Sequence, residues 1–295
     1  VDVDAAKDFL PTMGDCDLMV GMHPNFKVHV HSNRPDQVLG WFLTHDCQIS
    51  EVHVHNMKLQ SDERNEKIEA ELEAEHKPLG VVAVAPGSGT AKILESLGVD
   101  VVISGGQTMN PSTADILEAV NKVNADAVVI LPNNKNIIMA AQACVEVSEK
   151  PCAVVATTSV PQAFSAMFGF DAEASLEENA EAMAEAFAEV KTGEVTHAIK
   201  DSKDAHGNPI KDGDVIGIAD GSIEAVGSDV SDVVLALLET MEADDADTMT
   251  ILAGEDFSDD DLDALVARIE EAFEDLEIDP HRGEQALYPV VFSLE

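Results

Sequence analysis

Apolar positions through the middle of the chain follow two alternating rhythms. Compact runs rich in β-branched residues, at 81–85, 101–103, 127–131 and 152–156, are separated by stretches in which apolar residues recur every three or four positions. The first rhythm is that of buried strands and the second that of amphipathic helices. Ile93, Leu94 and Leu97 mark one helix, and Ile116, Leu117, Val120 and Val123 mark another. A third covers about 137–147. Strands and helices alternating at this spacing predict an α/β lobe, about 80–165, with a mostly parallel, doubly wound sheet. Ser112 and Asp115 have capping-box spacing at the start of the second helix.

The flanking regions read differently. Residues 18–20 and 26–31 predict a hairpin turning through His23, Pro24 and Asn25. Pro35 opens a helix with Val38, Leu39 and Phe42 on one face, and 49–55 is expected to return as a strand, so 1–58 reads as a small α+β domain. The charged stretch 59–79, with Ile68 and Leu72 its main large apolar residues, reads as a helical linker. Beyond it lies a two-lobed domain, 80–295, whose second lobe is expected at about 166–295. That lobe reads as an acidic helix (Leu176, Ala180, Met183, Phe187, Val190), hairpins turning at 206–209, 212–213 and 220–221, and a helix over Val230 to Met241. A strand at 248–252, a helix capped by Ser258 and a final strand at 288–294 complete it.

Composition narrows the function. The 57 Asp and Glu residues against 17 Lys and Arg leave a formal net charge of −40, which repels nucleic acid and anionic membranes alike. Four cysteines, Cys16, Cys47, Cys144 and Cys152, form no CxxC pair and predict reduced thiols in a cytoplasmic protein. Neither a signal peptide nor an apolar run of the ~18 residues needed to span a membrane is found, so no integral membrane association is expected. The opening Val1 predicts a natural start further upstream, and YPVVFSLE reads as a natural carboxyl terminus.

Candidate chemistry concentrates at strand ends. Gln107, Thr108, Asn110 and Ser112 follow one strand, Asn133, Asn134 and Lys135 the next, and Thr158, Ser159 and Gln162 a third. In a doubly wound sheet these turns share one edge, where ligands and partners usually sit. Tight, well-capped connections without a ligand would use the same residues. The turn APGSGT lacks the lysine of a P-loop and the third glycine of a dinucleotide fingerprint, and reads better as a plain βα turn. No Ser-His-Asp or carboxylate arrangement with local support appears, so no catalytic residue is assigned. The acidic runs 242–247 and 259–263 lack the spaced ligands and glycine of an EF-hand. Alternation in KVHVH puts His29 and His31 on one strand face, half of a zinc site or simply two exposed histidines, and EVHVHN repeats it at His53 and His55.

GGQTMNPST at 105–113 and LPNNKNI at 131–137 resemble the carboxyl-terminal region of the FakA family of fatty acid kinases, and the similarity extends through nearly the whole chain. That region is similar in turn to DegV-like proteins, the fatty-acid carriers called FakB. The resemblance implies a middle domain followed by a DegV-like domain, with an upstream DhaL-type (dihydroxyacetone kinase-like) domain that uses ATP and magnesium. It implies a FakB-type partner, a place in lipid metabolism and phospholipid synthesis, and a metal at His29 and His31 completed by a cysteine lying before residue 1. Self-association as a homodimer stays open. The expected function is the non-kinase portion of such a kinase, docking FakB so that the upstream domain phosphorylates the bound fatty acid. The alternative is a carrier binding an anionic ligand between its own lobes; a hydrolase using a histidine-bound metal is a third reading. At 108–112 this chain has Met109, and at 132–136 it has PNNKN, where DegV-like proteins use small hydroxyl residues to hold a carboxylate. Both departures favour docking.

Overall fold

The computed structural model describes residues 3–22, 25–45, 47–54, 76–105, 110–204 and 207–295. The chain divides into two compact units, Val1–Glu73 and Ala74–Glu295.

In the first unit, α1 (Val3–Phe9) precedes the strands β1 (Asp15–Met22) and β2 (Asn25–His31), which pair antiparallel with Leu18 opposite His29. Pro35, with its fixed φ and no N–H to lose, occupies the first position of α2 (Pro35–Thr44). Val38 and Phe42 of that helix join Ala6 and Leu10 in a small core, and Trp41 stacks on Phe9 at 4.6 Å. The expected return strand at 49–55 is not formed over its described residues. Glu51 adopts the left-handed region at φ 55°, which interrupts the extended run, and Val52 and Val54 stay exposed. His55 and the bulk of the expected linker lie outside the described residues.

The second unit opens with β3 (Lys77–Ala85), so the last positions of the expected linker, 77–79, are the first rungs of a strand. It is followed by α3 (Ser88–Ser96), β4 (Val101–Ser104), α4 (Thr113–Lys122), β5 (Ala125–Leu131), α5 (Lys135–Val147) and β6 (Cys152–Val154). The sheet order is β4-β3-β5-β6, all parallel, as the strand and helix alternation predicts. Burial on both faces explains the near-continuous apolar strands. Val82, Val84, Val128 and Ile130 meet α4 and α5 on one face; Val81, Ala83, Val129 and Leu131 meet Leu94 of α3 on the other.

Two helices complete that second face. α6 (Val160–Phe168) is buried from Val160 to Met167 apart from the half-buried Gln162. α7 (Leu176–Ala186) places Met183 in the same core. The expected lobe division near 165 thus falls inside a helix of the first layer, and α7, expected in the second lobe, packs on the first sheet.

The rest forms a six-stranded sheet of order β11-β10-β7-β14-β12-β13. Its strands are β7 (Lys191–His197), β10 (Val215–Ala219), β11 (Ser222–Gly227), β12 (Thr248–Ala253), β13 (Glu277–Arg282) and β14 (Val290–Leu294), with a small ribbon of β8 (Ser202–Lys203) and β9 (Pro209–Ile210) between β7 and β10. Neighbours run antiparallel except β12 and β13. β13 is absent from the sequence reading because EIDPHR combines charges with a proline, which only an edge strand tolerates. α8 (Val230–Thr240) and α9 (Asp259–Ala272) cover one face, burying Leu237, Leu238, Leu265 and Ile269 against Val195, Ile251 and Phe292. Among the described residues no helix is long and apolar enough to cross a membrane.

Gly193 of β7 lies under the ring of Phe292, which is fully buried, and a methyl there would overlap that ring. Gly193→Ala is expected to cost about 1–3 kcal/mol through overpacking. Urea unfolding measures it, and a change below about 0.5 kcal/mol would contradict the packing described.

Candidate functional site

The chain leaves β3 through α3 to β4 on one side, then crosses through α4 to β5 on the other. The strand order therefore reverses between β3 and β5, and in open α/β sheets ligands bind in the crevice at that point. In this protein Asn133 occupies it. Its backbone is left-handed, at φ 57°, a conformation asparagine accepts more readily than most residues. The side-chain amide donates to the Val84 carbonyl at 2.8 Å, across the crevice. Its oxygen accepts from the Thr157 hydroxyl at 2.6 Å, and that hydroxyl accepts from the Asn133 N–H at 3.2 Å. Asn133 and Thr157 are both buried, and they join the ends of β3 and β5 to the loop after β6.

The neighbouring polar residues are also engaged with the protein. Asn134 caps α5 by accepting from the Asn136 N–H at 2.8 Å. The Lys135 ammonium donates to the Asp220 carbonyl at 3.0 Å, in the tight turn between β10 and β11. Thr158 donates its N–H and hydroxyl to the Gln162 side-chain oxygen at 2.8 and 3.0 Å. Ser159, buried, caps α6 through the Gln162 N–H at 3.4 Å and lies 3.0 Å from the Thr192 hydroxyl. Ser112 and Asp115 form the expected capping box at α4, while Asn110 is exposed. Gln107 and Thr108 lie outside the described residues.

The structure thus brings Asn133, Thr158, Ser159 and Gln162 together, and ties Lys135 to the far sheet. Sequence reading missed Thr157, Thr192 and Asp220. Thr157 directly precedes the candidate Thr158, whereas Thr192 carries no comparable signal in the sequence. The two sheets meet through these contacts and through Thr90 N–H on the Gly283 carbonyl at 3.1 Å and Ser165 on the Glu295 carboxylate at 2.6 Å. Leu252 and Val291 of the second sheet enter the core of the first. Beside the ends of β3 and β4 a cavity of about 220 Å³ is lined by Gly87, Ser88, Glu95, Val102 and Ser104. That is smaller than the ~300–1,000 Å³ of typical ligand pockets.

In the first unit the imidazole Nε2 atoms of His29 and His31 lie 3.1 Å apart. Two ligands of one tetrahedral zinc, each about 2.0–2.1 Å from the ion, are separated by roughly 3.3 Å. The observed separation is that of a hydrogen bond between the two rings, and it also lies near that ligand spacing. Among the described residues no group of three His, Cys, Asp or Glu assembles around it. His53 is exposed on an irregular segment. Cys47, Cys144 and Cys152 are free thiols, and burial pushes the last two above the ordinary thiol range.

Two family models account for the chain. Residues 80–295 match the FakA-like (fatty acid kinase) C-terminal domain and residues 1–64 the FakA-like middle domain. Bacillus subtilis protein YloV is 37% identical over 290 residues, covering 97% of this chain and 52% of YloV. An uncharacterized Staphylococcus haemolyticus protein is 35% identical over 288 residues, with 96% and 52% covered. The chain spans about half the length of the curated relatives it matches. Among solved structures, a DegV family protein of Corynebacterium glutamicum superposes with TM-score 0.54 at 15% identity, covering 74% of this chain and 96% of that one. A Thermotoga maritima protein, described as revealing a fatty acid binding function, gives 0.52 at 13%, with 75% and 99% covered. These likenesses show the fold, that of DegV proteins.

Asn133→Ala removes the amide that pairs with Val84 and Thr157 and leaves alanine in a left-handed backbone. A loss of about 2–4 kcal/mol is expected by urea unfolding, with Asn133→Gly milder because glycine accepts that φ. Equal losses for the two variants would contradict the backbone argument. At α4, the Ser112 hydroxyl and N–H hold the Asp115 carboxyl below its ordinary 3.8. Because the folded value is the lower one, this stabilisation is present above the ordinary value and is lost as pH falls through the folded one. Ser112→Ala is expected to flatten that part of the acid dependence of the unfolding midpoint; an unchanged pH profile would contradict it.

Proposed function

The chain belongs to the FakA-like family of fatty acid kinases, and we propose that it is the non-kinase portion of such a kinase. In this reading it docks a FakB-type, DegV-like carrier, and an ATP- and magnesium-dependent domain elsewhere in the full protein phosphorylates the carrier's fatty acid. One observation supports docking over carriage. The amide and hydroxyl groups at the crevice bond to one another, to Val84 and to Thr192. A carboxylate placed there would have to break that network or remain poorly hydrogen-bonded, and burying it unpaired is costly. The family motifs tend the same way, with Asn133 and Asn134 in place of small hydroxyl residues.

Carriage remains the second reading. It is favoured by the DegV fold, shared with proteins described as binding fatty acids. It requires the crevice to open between β3 and β5. His29 and His31 suit a zinc ion that, with further ligands, would brace the β1–β2 hairpin as a structural crosslink.

Calorimetric titration separates the readings. The chain is titrated with the DegV-like carrier encoded in the same genome, and separately with oleate. Heat with the carrier and none with oleate is the expected result. Heat with oleate alone would overturn docking and make this chain a carrier.

A further inference from the structure

The six-stranded sheet ends in a loop whose conformation is costly and whose apolar side chain points to water. Leu287 has φ 71° and Glu284 φ 57°, both left-handed. For a leucine this costs on the order of 1–3 kcal/mol, and it persists only where the surroundings dictate it. Here they do. The buried Gln285 amide donates to the Leu252 carbonyl at 2.8 Å and to the Tyr288 carbonyl at 3.2 Å. Gly254 N–H donates to the Pro289 carbonyl at 2.9 Å, Glu255 N–H to the Gln285 carbonyl at 3.1 Å, and the Thr196 hydroxyl to the Leu287 carbonyl at 2.6 Å. Yet the Leu287 side chain is 56% exposed.

A second apolar residue stands at the same end of the sheet. Val290 of β14 pairs with Val195 of β7, so the segment before Val290 and the segment after His197 leave the sheet together. Ile199, in the latter, is 88% exposed. The Leu287 side of this end is acidic, whereas an exposed Lys200 follows Ile199 directly. β12 runs parallel to β7 in the sheet and finishes there at Ala253, which brings Glu255, Asp256 and the first turn of α9, with Asp259 and Asp260, to this end. The nearby guanidinium of Arg282 is already bonded to the Gly254 and Phe257 carbonyls and paired with Glu284. The loop also sits on the strand-end edge of the first sheet, where Gly87 and Gly89 press against the backbone of 282–284.

We propose that Leu287 and Ile199 are the apolar anchors with which this chain grips its protein partner, and that the partner offers an apolar pocket rimmed by lysine and arginine. The inference rests on the docking reading and assigns its contact surface to the carrier. A chain of net charge −40 selects a basic rim, and a loop held rigid before binding loses little entropy on association. Aromatic or aliphatic anchors surrounded by polar contacts are the usual form of an interface's energetic centre.

The test titrates the carrier with the unaltered chain, with Leu287→Gly and with Ile199→Ser. Glycine accepts the left-handed backbone, so Leu287→Gly is expected to keep or raise the unfolding midpoint. Each variant is expected to weaken binding at least tenfold, roughly the loss of one modest anchor. Added salt is expected to weaken the unaltered complex. Unaltered affinity in both variants, with the original chain binding, would overturn the anchor assignment and leave docking intact. Failure of the original chain to bind would overturn docking and the anchors with it.

Discussion

One asparagine sets the condition on which the second unit depends. The reversal of strand order between β3 and β5 opens a crevice that a ligand would ordinarily fill, and Asn133 fills it with its own amide. Because that amide bonds to Val84 on one strand and Thr157 on the loop after another, three connections become one rigid edge. The buried polar groups of Asn133 and Thr157 are paired, so the edge avoids the penalty an empty polar crevice would carry. The left-handed backbone is the cost, and asparagine meets it more cheaply than a branched residue would.

From that edge the contacts run outward to the second sheet. Ser159 reaches Thr192, Lys135 reaches the β10–β11 turn, and Leu252 and Val291 enter the first core. The lobes are thereby joined by polar and apolar contacts at once, as a packed interior requires. The outer rim differs from this interior: a loop with two left-handed residues, Glu284 and Leu287, leaves the leucine side chain exposed near Glu255 and Asp256.

Much of this was legible in the sequence, and the exceptions have physical causes. The parallel sheet showed itself through apolar, β-branched strands set between capped helices, and Ser112 with Asp115 marked its helix start correctly. α6 escaped notice because it is a short helix of 9 residues whose start, from Ser159 to Gln162, reads in the sequence as a strand-end turn. β13 escaped because Pro280 and its charged neighbours suit only an edge. Residues 49–54 imitated a strand until the left-handed Glu51. The sequence named Asn133, Thr158, Ser159 and Gln162 but left their role open, since an asparagine at a strand end reads the same whether it waits for a ligand or closes the crevice itself. Only its partners decide, and Thr157 lies 24 residues away.

The central claim is that the crevice is closed by the chain's own hydrogen bonds. Native-state hydrogen exchange on the amide of Asn133, bonded to the Thr157 hydroxyl, and on that of Thr158, bonded to Gln162, addresses it most directly. Protection comparable to that of core β5 in the free chain, and unchanged by added oleate, is the predicted result. Rapid exchange at both amides that slows when oleate is added would contradict it, because the crevice would then be open and waiting for an acyl ligand.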